Sequence, residues 1–516
     1  MIQITMTMEF NWTLGLISSA AAFLLILLRR KWAATGEDRQ PPAPPGWPLF
    51  GNLFNLGAMP HRTVASLATE YGPVVRLKLG SVNTVAILSA KAATELFKNH
   101  DLAFLERTIT ETSRSHDYDR SSLALAPYGM YWRVLRKICT VEMFVAKRIN
   151  ESAAVRRRCV DNMLSWIENE ARLAKIGSGV HVAKFVFLTT FNLLGNLMLS
   201  RDLADPDSKL ASKFFTAMLG MMEWGGHPNI SDLYPWLKRF DLLGLRGKMD
   251  RDMGYALEIA TGWVQERVEE RGKEATHDEE RRKDFLDVLL DYERTGKDEP
   301  EKMSEKDITI FILEIFLAGS ETTSSTIEWA LTELLRCPEK MTRAKHELAS
   351  IIGPNQKFEE SSIDNLPYLQ AIVKEALRLH PPIPFLVPRK AGRDTDFMGY
   401  HIPKNTQLFV NAWAIGRDPE CWENANLFEP ERFLGSKVDY KGQHFELIPF
   451  GAGRRMCVGL PLAHRVLHLV LGSLLHEFDW ELESGIIADT VDMRDKLGIT
   501  VRKLEPLKSI PKKTTR

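Results

Sequence analysis

The stretch Phe450-Gly-Ala-Gly-Arg-Arg-Met-Cys457-Val-Gly459 decides how the chain is read. A cysteine stands in a run of glycines and arginines, just ahead of an apolar segment, Gly459–Phe478, that reads as a helix. A thiolate near arginines and a helix N-terminus is stabilised as the anion. An anionic sulfur is also what a haem iron takes as a strong axial ligand. Gly451, Gly453 and Gly459 let the backbone turn tightly and approach a flat group without Cβ clashes. Phe450 is placed to lie against the sulfur and keep water off it, and Arg455 to reach a carboxylate such as a haem propionate. Cys457 alone would read as a buried structural cysteine, as most lone cysteines are. The spacing Phe-x-x-Gly-x-Arg-x-Cys-x-Gly is the more specific feature.

The chain has 516 residues, enough for a large core, and no composition break divides it. Lys+Arg and Asp+Glu both number 67, so the balanced charge gives no sign of a nucleic-acid partner. The five cysteines, at 139, 159, 337, 421 and 457, are scattered without a Cys-x-x-Cys pair. That argues against a disulfide framework or a zinc ribbon and fits a reducing compartment.

Phe10 to Leu28 is uncharged and apolar, just long enough to cross a bilayer, and Arg29-Arg30-Lys31 follows at once. A cleaved signal would want positive charge before the apolar run. Positive charge after it places the remainder in the cytosol. Residues 1–31 therefore read as a membrane anchor, 32–52 as a proline-rich neck around Pro41–Pro48, and 53–516 as the catalytic body. Val74–Leu79 and Thr84–Leu88 suggest a hairpin. Arg107–Ser122 reads as a polar loop over a pocket. Tyr131–Lys137 reads as a helix with Trp132 and Arg136 on one face. Lys147, Arg148 and Arg156–Arg158 form a basic cluster, by itself a solvated face. Met218–Leu237 reads equally as a membrane-interface segment or as core, and Thr276–Lys306 as an exposed connection.

Ser304 and Asp307 resemble a capping pair opening a long helix that runs to Arg336 and stops before Pro338. Its middle, Phe316-Leu-Ala-Gly-Ser-Glu-Thr-Thr-Ser324, interrupts an apolar pattern with a glycine, an acid and β-hydroxy residues. A mid-helix glycine costs about 1 kcal/mol against alanine, and such local defects mark function. Ala318 or Gly319 leaves room for a cofactor; Thr322 supplies a hydroxyl and Glu321 a titratable acid, a pair suited to relaying protons. The competing reading is a helix bent by threonines bonding back to the preceding turn. Glu375 and Arg378 lie three apart on an apolar helix opened by Pro367, with Arg432 in Pro430–Phe433 as a further partner. His380–Pro388 reads as extended, with Arg389 directly after it placed to meet a propionate. Asp492–Pro506 reads as short strands.

Together these features resemble a plant microsomal cytochrome P450, over the whole chain. Four motifs occur in the family's order: Ala318–Thr323, Glu375 with Arg378, Pro430–Phe433, and Phe450–Gly459. Glu95–Asp101, Asn411–Pro419 and Leu447–Phe450 resemble the group of geraniol hydroxylases and iridoid oxidases. Ala43 stands where the neck usually has glycine, and Val458 where a small residue or proline is frequent; neither removes a ligand. The resemblance implies a mainly α fold with small β-sheets, and haem b held by Cys457, with Trp132, Arg136, Arg389, Arg455, Phe450, Gly451 and Gly453 around it. Thr322 and Glu321 would serve oxygen activation, and Glu375, Arg378 and Arg432 would support the haem loop. It also implies monooxygenation with O2 of a small lipophilic substrate, a terpenoid first and phenylpropanoid-type aromatics or fatty acids behind. Electrons would come from NADPH through cytochrome P450 reductase at the endoplasmic reticulum membrane. A P450 that rearranges hydroperoxides would not need Thr322, and a non-catalytic haem-binding protein would not need the proton relay.

Overall fold

The computed structural model describes residues 39–273, 283–294, 299, 302–353 and 356–514, so the proposed anchor lies outside the described residues. Helices dominate. The ones that matter below are α1 (Pro60–Ser66), α2 (Ala90–Asn99), α3 (Met130–Ile138), α4 (Ala153–Leu173), α5 (Val182–Leu199), α6 (Lys209–Gly226), α7 (Leu245–Lys273), α8 (Glu305–Arg336), α9 (Pro338–Ile352), α10 (Pro367–Leu379) and α11 (Leu460–Glu477). The expected hairpin forms as β1 (Val74–Leu79) and β2 (Val82–Ile87). With β3 (Glu106–Arg107), β4 (Arg389–Lys390) and β5 (Gln407–Val410) it builds a five-stranded sheet in the order β1-β2-β5-β4-β3. Only the β2–β5 pair is parallel.

α8 is the axis of the molecule. Ser304 Oγ accepts the Asp307 N–H at 3.1 Å and caps its start. Its end falls at Arg336, because the residue before Pro338 is pushed out of helical geometry. Nearly every residue from Ile308 to Leu335 is buried, as expected of a helix apolar on all sides. α5, α7, α10 and α11 pack around it. α5 has the length and hydropathy of a membrane span, yet 78% of it is buried inside the protein, so it is a core helix.

Several expectations change. The described part of the neck lies along β1: Arg76 N–H donates to Pro42 O at 2.8 Å, and Asn52 Oδ1 accepts the Lys78 N–H at 2.9 Å. Arg107–Ser122 is no simple loop. It holds β3, a 3-10 turn at Thr112–Asp117 and a helical turn at Tyr118–Ser121, and Arg107 and Tyr118 are buried. Within Thr276–Lys306 the apolar run Phe285–Leu290 forms a buried helical turn capped by Asp284. His380–Pro388 is a turn, not a strand, with Leu386 at φ 52°. Arg156 is not on a solvated face; it is fully buried and forked onto Glu360 at 2.5 and 2.6 Å. In the segment from Met218 the methionines 218, 221 and 222 are core, while Trp236 and, beyond it, Phe240, Leu242 and Leu243 are exposed.

Burial on α11 has a pH consequence. His464 is held neutral as the acceptor of Tyr440 Oη–H at 2.7 Å, and its pKa is pushed down to about 4, first by burial and then by Lys441 and Arg465. His468 is pushed down to about 3, first by burial and then by His464. A folded-state pKa below the unfolded value of about 6.5 means stability that is complete above that pH and lost as pH falls towards the folded values. The melting temperature should therefore drop between pH 6.5 and 4.5. The drop should be shallower in His468→Leu, and equal slopes would show that these histidines do not titrate on unfolding.

Candidate active site

The loop carrying Cys457 is closed by its own backbone: the Cys457 N–H donates to Phe450 O at 3.0 Å. Gly451 and Gly453 have φ of 70° and 69°, left-handed values that favour glycine. At Gly453 a Cβ would also stand 2.6 Å from the Asp101 carboxylate. That glycine makes room for Asp101, which differs from the expected role of making room for a flat cofactor. The Phe450 ring packs against Tyr440 with centroids 5.3 Å apart and the planes tilted by 52°, which holds it beside the loop.

Cys457 is accessible, yet burial is the largest influence on its thiol and raises its pKa. Both hold if protein surrounds the sulfur and the space in front of it is an interior hollow. The N–H groups of Gly459 and Leu460, at the start of α11, and the Arg136 guanidinium work against the rise. The helix-terminus part of the expected stabilisation is thus present. The cation is Arg136 from α3 and not an arginine of the loop: Arg454 is exposed and meets Asp101 at 3.3 Å, and Arg455 turns towards Trp132.

On α8 the same contrast recurs. Ala318 is exposed and Thr322 half-buried, between residues that are buried. They lie four apart, so one face of the helix opens onto unfilled space. Gly319 serves a different purpose, since a Cβ there would stand 2.9 Å from Leu194 of α5. The Thr322 hydroxyl donates to Ala318 O at 2.7 Å, the back-bonded arrangement expected of a bent helix. Glu321 is buried, its Oε2 has no hydrogen-bond partner among the described residues, and burial pushes its pKa up to about 8. Arg502 opposes that shift from 3.9 Å. Arg502 is also 3.9 Å from Glu223, which pairs with Lys496 at 2.9 Å and is partly exposed. Charged groups thus lead from Glu321 to the surface.

Trp132 and the arginines form one knot. Arg136 and Arg455 lie over the Trp132 ring at 5.6 and 4.5 Å. Arg136 donates to Met456 O at 2.8 Å. Arg389 donates to Asp101 at 2.9 Å and to Ala452 O at 3.2 Å. Arg107, missed in the sequence because it heads a polar run, faces Arg389 directly across the β3–β4 ladder. Like charges in that position repel. Burial, then Arg389 and Arg455, hold the Arg107 pKa well below the usual arginine range. Among the described residues, Asp101 is the carboxylate that pairs directly with a member of this group, Arg389. Arg455 Nε is buried and has no hydrogen-bond partner among the described residues, and the Arg455 pKa is pushed down to about 10, first by burial and then by Arg389. Cations short of counter-ions, beside an accessible thiol, suit a metal cofactor that carries carboxylates.

On α10, Glu375 and Arg378 form a fully buried fork at 2.7 Å for both bonds, and Arg432 reaches Glu375 at 3.1 Å. The expected triad is assembled.

Comparison with known proteins gives this geometry its setting. The profile of the cytochrome P450 family matches residues 41–505. Cytochrome P450 76A2 of Solanum melongena is 57% identical over 98% of this chain and 100% of its own length. The iridoid oxidase of Catharanthus roseus is 49% identical over 96% of this chain and 97% of its own, and the geraniol 8-hydroxylase of the same plant 41% over 91% and 93%. A zebra fish cytochrome P450 solved with progesterone superposes with a TM-score of 0.73 at 24% identity, covering 88% of this chain and 99% of that one, which speaks for the fold. The chain belongs to the cytochrome P450 family of haem-iron monooxygenases.

Proposed function

We propose that this P450 oxidises a small lipophilic terpenoid, with Cys457 as the axial thiolate of haem b and electrons delivered from NADPH by a membrane-bound reductase. The observation that carries the site assignment is the accessible Cys457 sulfur inside a loop otherwise surrounded by protein. The substrate class rests on relatives named iridoid oxidase, geraniol 8-hydroxylase and, in Persicaria hydropiper at 42% identity, drimenol monooxygenase. The haem supplies dioxygen activation and oxygen insertion. Everything else falls to the chain. Arg136, Arg389, Arg455 and Trp132 would hold the cofactor's carboxylates, a role that Arg107 would share. Ala318, exposed on the buried helix α8, would leave room for the cofactor. The Thr322 hydroxyl can leave its Ala318 acceptor to hold a water and pass on a proton, since a hydroxyl both donates and accepts. Glu321, with a pKa near 8, carries a proton to give at neutral pH, and it would be recharged from solvent on the side where Arg502 and the partly exposed Glu223 lie.

The same reading places the protein on the endoplasmic reticulum membrane with its catalytic body in the cytosol. Tyr234 joins the neck to the exposed apolar segment: its hydroxyl donates to Leu49 O at 3.2 Å, and its ring meets Phe50 at 6.4 Å and Trp236 at 5.3 Å. Trp47, Leu49, Phe54, Trp236 and Phe240 are all exposed on that side. Such a surface suits the apolar edge of a bilayer beside the anchor. Lys137, Lys147 and Arg454, from the Cys457 side, are the cations offered to an acidic reductase surface.

Four measurements test these assignments. Cys457→Ser should lose the thiolate-type carbon-monoxide difference spectrum, and its retention would remove Cys457 as ligand. In microsomes with reductase and a terpenoid panel, mass spectrometry should find an oxygenated product. With that substrate Thr322→Ala should keep consuming NADPH while releasing hydrogen peroxide, with product falling up to the 10²–10⁴-fold typical of positioned proton transfer, about as far as water fails to substitute. Product per NADPH equal to wild type would leave Thr322 only a helix residue. Protein lacking residues 1–31 should remain partly bound to microsomes and be released by Trp236→Ser with Phe240→Ser. Equal release with and without those substitutions would refute the second contact.

A further inference from the structure

The catalytic reading leaves one buried acid unused. Glu314 sits on α8, eight residues before Thr322 and on the same face as Ala318. It is buried in an apolar stretch, where a carboxylate is costly unless its oxygens are satisfied. They are. Oε1 accepts the Ser122 hydroxyl at 2.6 Å and the Ala124 N–H at 2.9 Å, and Oε2 accepts the Leu123 N–H at 2.6 Å. Tyr118 lies against the same carboxyl. The donors are consecutive, so Glu314 fixes three residues of a segment that has no regular structure of its own.

The other side of that segment faces the arginine knot. Leu123 O accepts Trp132 Nε1–H at 3.0 Å and an Arg455 N–H at 3.4 Å. Ala124 O accepts Arg107 Nε–H at 2.9 Å, and Ala126 O accepts Arg455 at 2.7 Å. The Leu123 carbonyl and the Ala124 N–H are the two ends of one rigid peptide plane. Pinning its N–H on Glu314 aims its carbonyl at Trp132 and Arg455. Two of Arg455's bonds are then fixed to backbone, and its buried Nε has no partner among the described residues.

We infer that Glu314 is a positioning residue for cofactor retention, acting through the Leu123–Ala124 peptide to hold Trp132, Arg107 and Arg455 for the carboxylates of the haem. Its own carboxyl oxygens are taken by Ser122, Leu123 and Ala124. The inference rests on the reading of Arg455 as a propionate holder, and the experiment separates the two. Haem release into excess apomyoglobin is followed by absorbance for wild type, Glu314→Gln, Arg455→Gln and the double variant. Glutamine keeps the shape but turns one acceptor into a donor, so it must release a backbone N–H. Losing a charged hydrogen bond of this kind should speed release about tenfold. Arg455→Gln should do the same, and the double variant should be no faster than Arg455→Gln, because the two act in one chain. Multiplied effects would overturn the inference and leave Glu314 a staple of the fold. Wild-type release in Glu314→Gln alone would overturn it as well. Wild-type release in Arg455→Gln would overturn the propionate reading beneath it. If Glu314→Gln does not fold, Ser122→Ala enters the same cycle, with release expected roughly threefold faster alone and unchanged from Arg455→Gln when combined. Multiplication in that cycle, or wild-type release in Ser122→Ala, rejects the inference equally.

Discussion

The fork between Glu375 and Arg378 is the constraint that fixes the irregular stretch of chain at residues 416–432. Both side chains are fully buried. An ion pair taken out of water survives only when its remaining donors and lone pairs are used. Here they are spent on the chain. Arg378 donates to the carbonyls of Gly416, Ala425 and Leu427, and Glu375 accepts the Glu429 N–H and Arg432. Arg432 in turn donates to the carbonyls of Glu423 and Asn424. Residues 416–434 have almost no ladder or helix to satisfy their buried backbone, so these side chains do that work. Gly416 must be glycine, since a Cβ would stand 2.5 Å from Arg378 O. From this knot the chain runs through residues 435–449 to the loop that carries Cys457.

α8 joins the two halves of the chemistry by presenting different residues to different neighbours. Gly319 lets α5 come close, Ala318 and Thr322 face open space, and Glu321 faces the hairpin of Asp495–Lys496 and Arg502–Lys503. Ser325 and Glu328 extend that last face, with Ser325 donating to Val501 O at 3.1 Å and Glu328 accepting the Leu507 N–H at 2.8 Å. The polar residues that interrupt the apolar pattern thus do different things: Ser324 donates to Ala183 O at 2.8 Å, Thr322 and Thr323 bond back to the carbonyls four residues before them, and Ser320 Oγ has no hydrogen-bond partner among the described residues.

The arginine knot shows the opposite economy. Arg107, Arg389 and Arg455 are buried close enough to depress one another, and Asp101 answers only part of their charge. The fold tolerates this because backbone carbonyls at 123, 124, 126, 387 and 452 take up most of their donors. Carbonyls solvate a guanidinium without neutralising it, which leaves the region electropositive for an anionic group.

The sequence determined the elements whose signals are local. Ser304 and Pro338 bounded α8, Gly80-Ser81 turned the β1–β2 hairpin, and the spacing from Glu375 to Arg378 put an acid and a base on one helical face. The motif around Cys457 was legible as well, because glycine, arginine and cysteine at fixed spacing leave few alternatives. Tertiary structure decided what each of these residues touches. Arg107 and Glu314 join the site only through pairing with strands and loops hundreds of residues away in the chain, which no local pattern encodes. Gly319 and Gly453 were rightly singled out, but their neighbours proved to be Leu194 and Asp101. The methionines after 218 and the aromatics after 234 look alike in composition. Packing of α6 on α7 buried the first group, while the turn at Pro235 left the second in the open. Hydrophobicity fixes that a residue seeks cover; only the arrangement of the other elements fixes whether protein provides it.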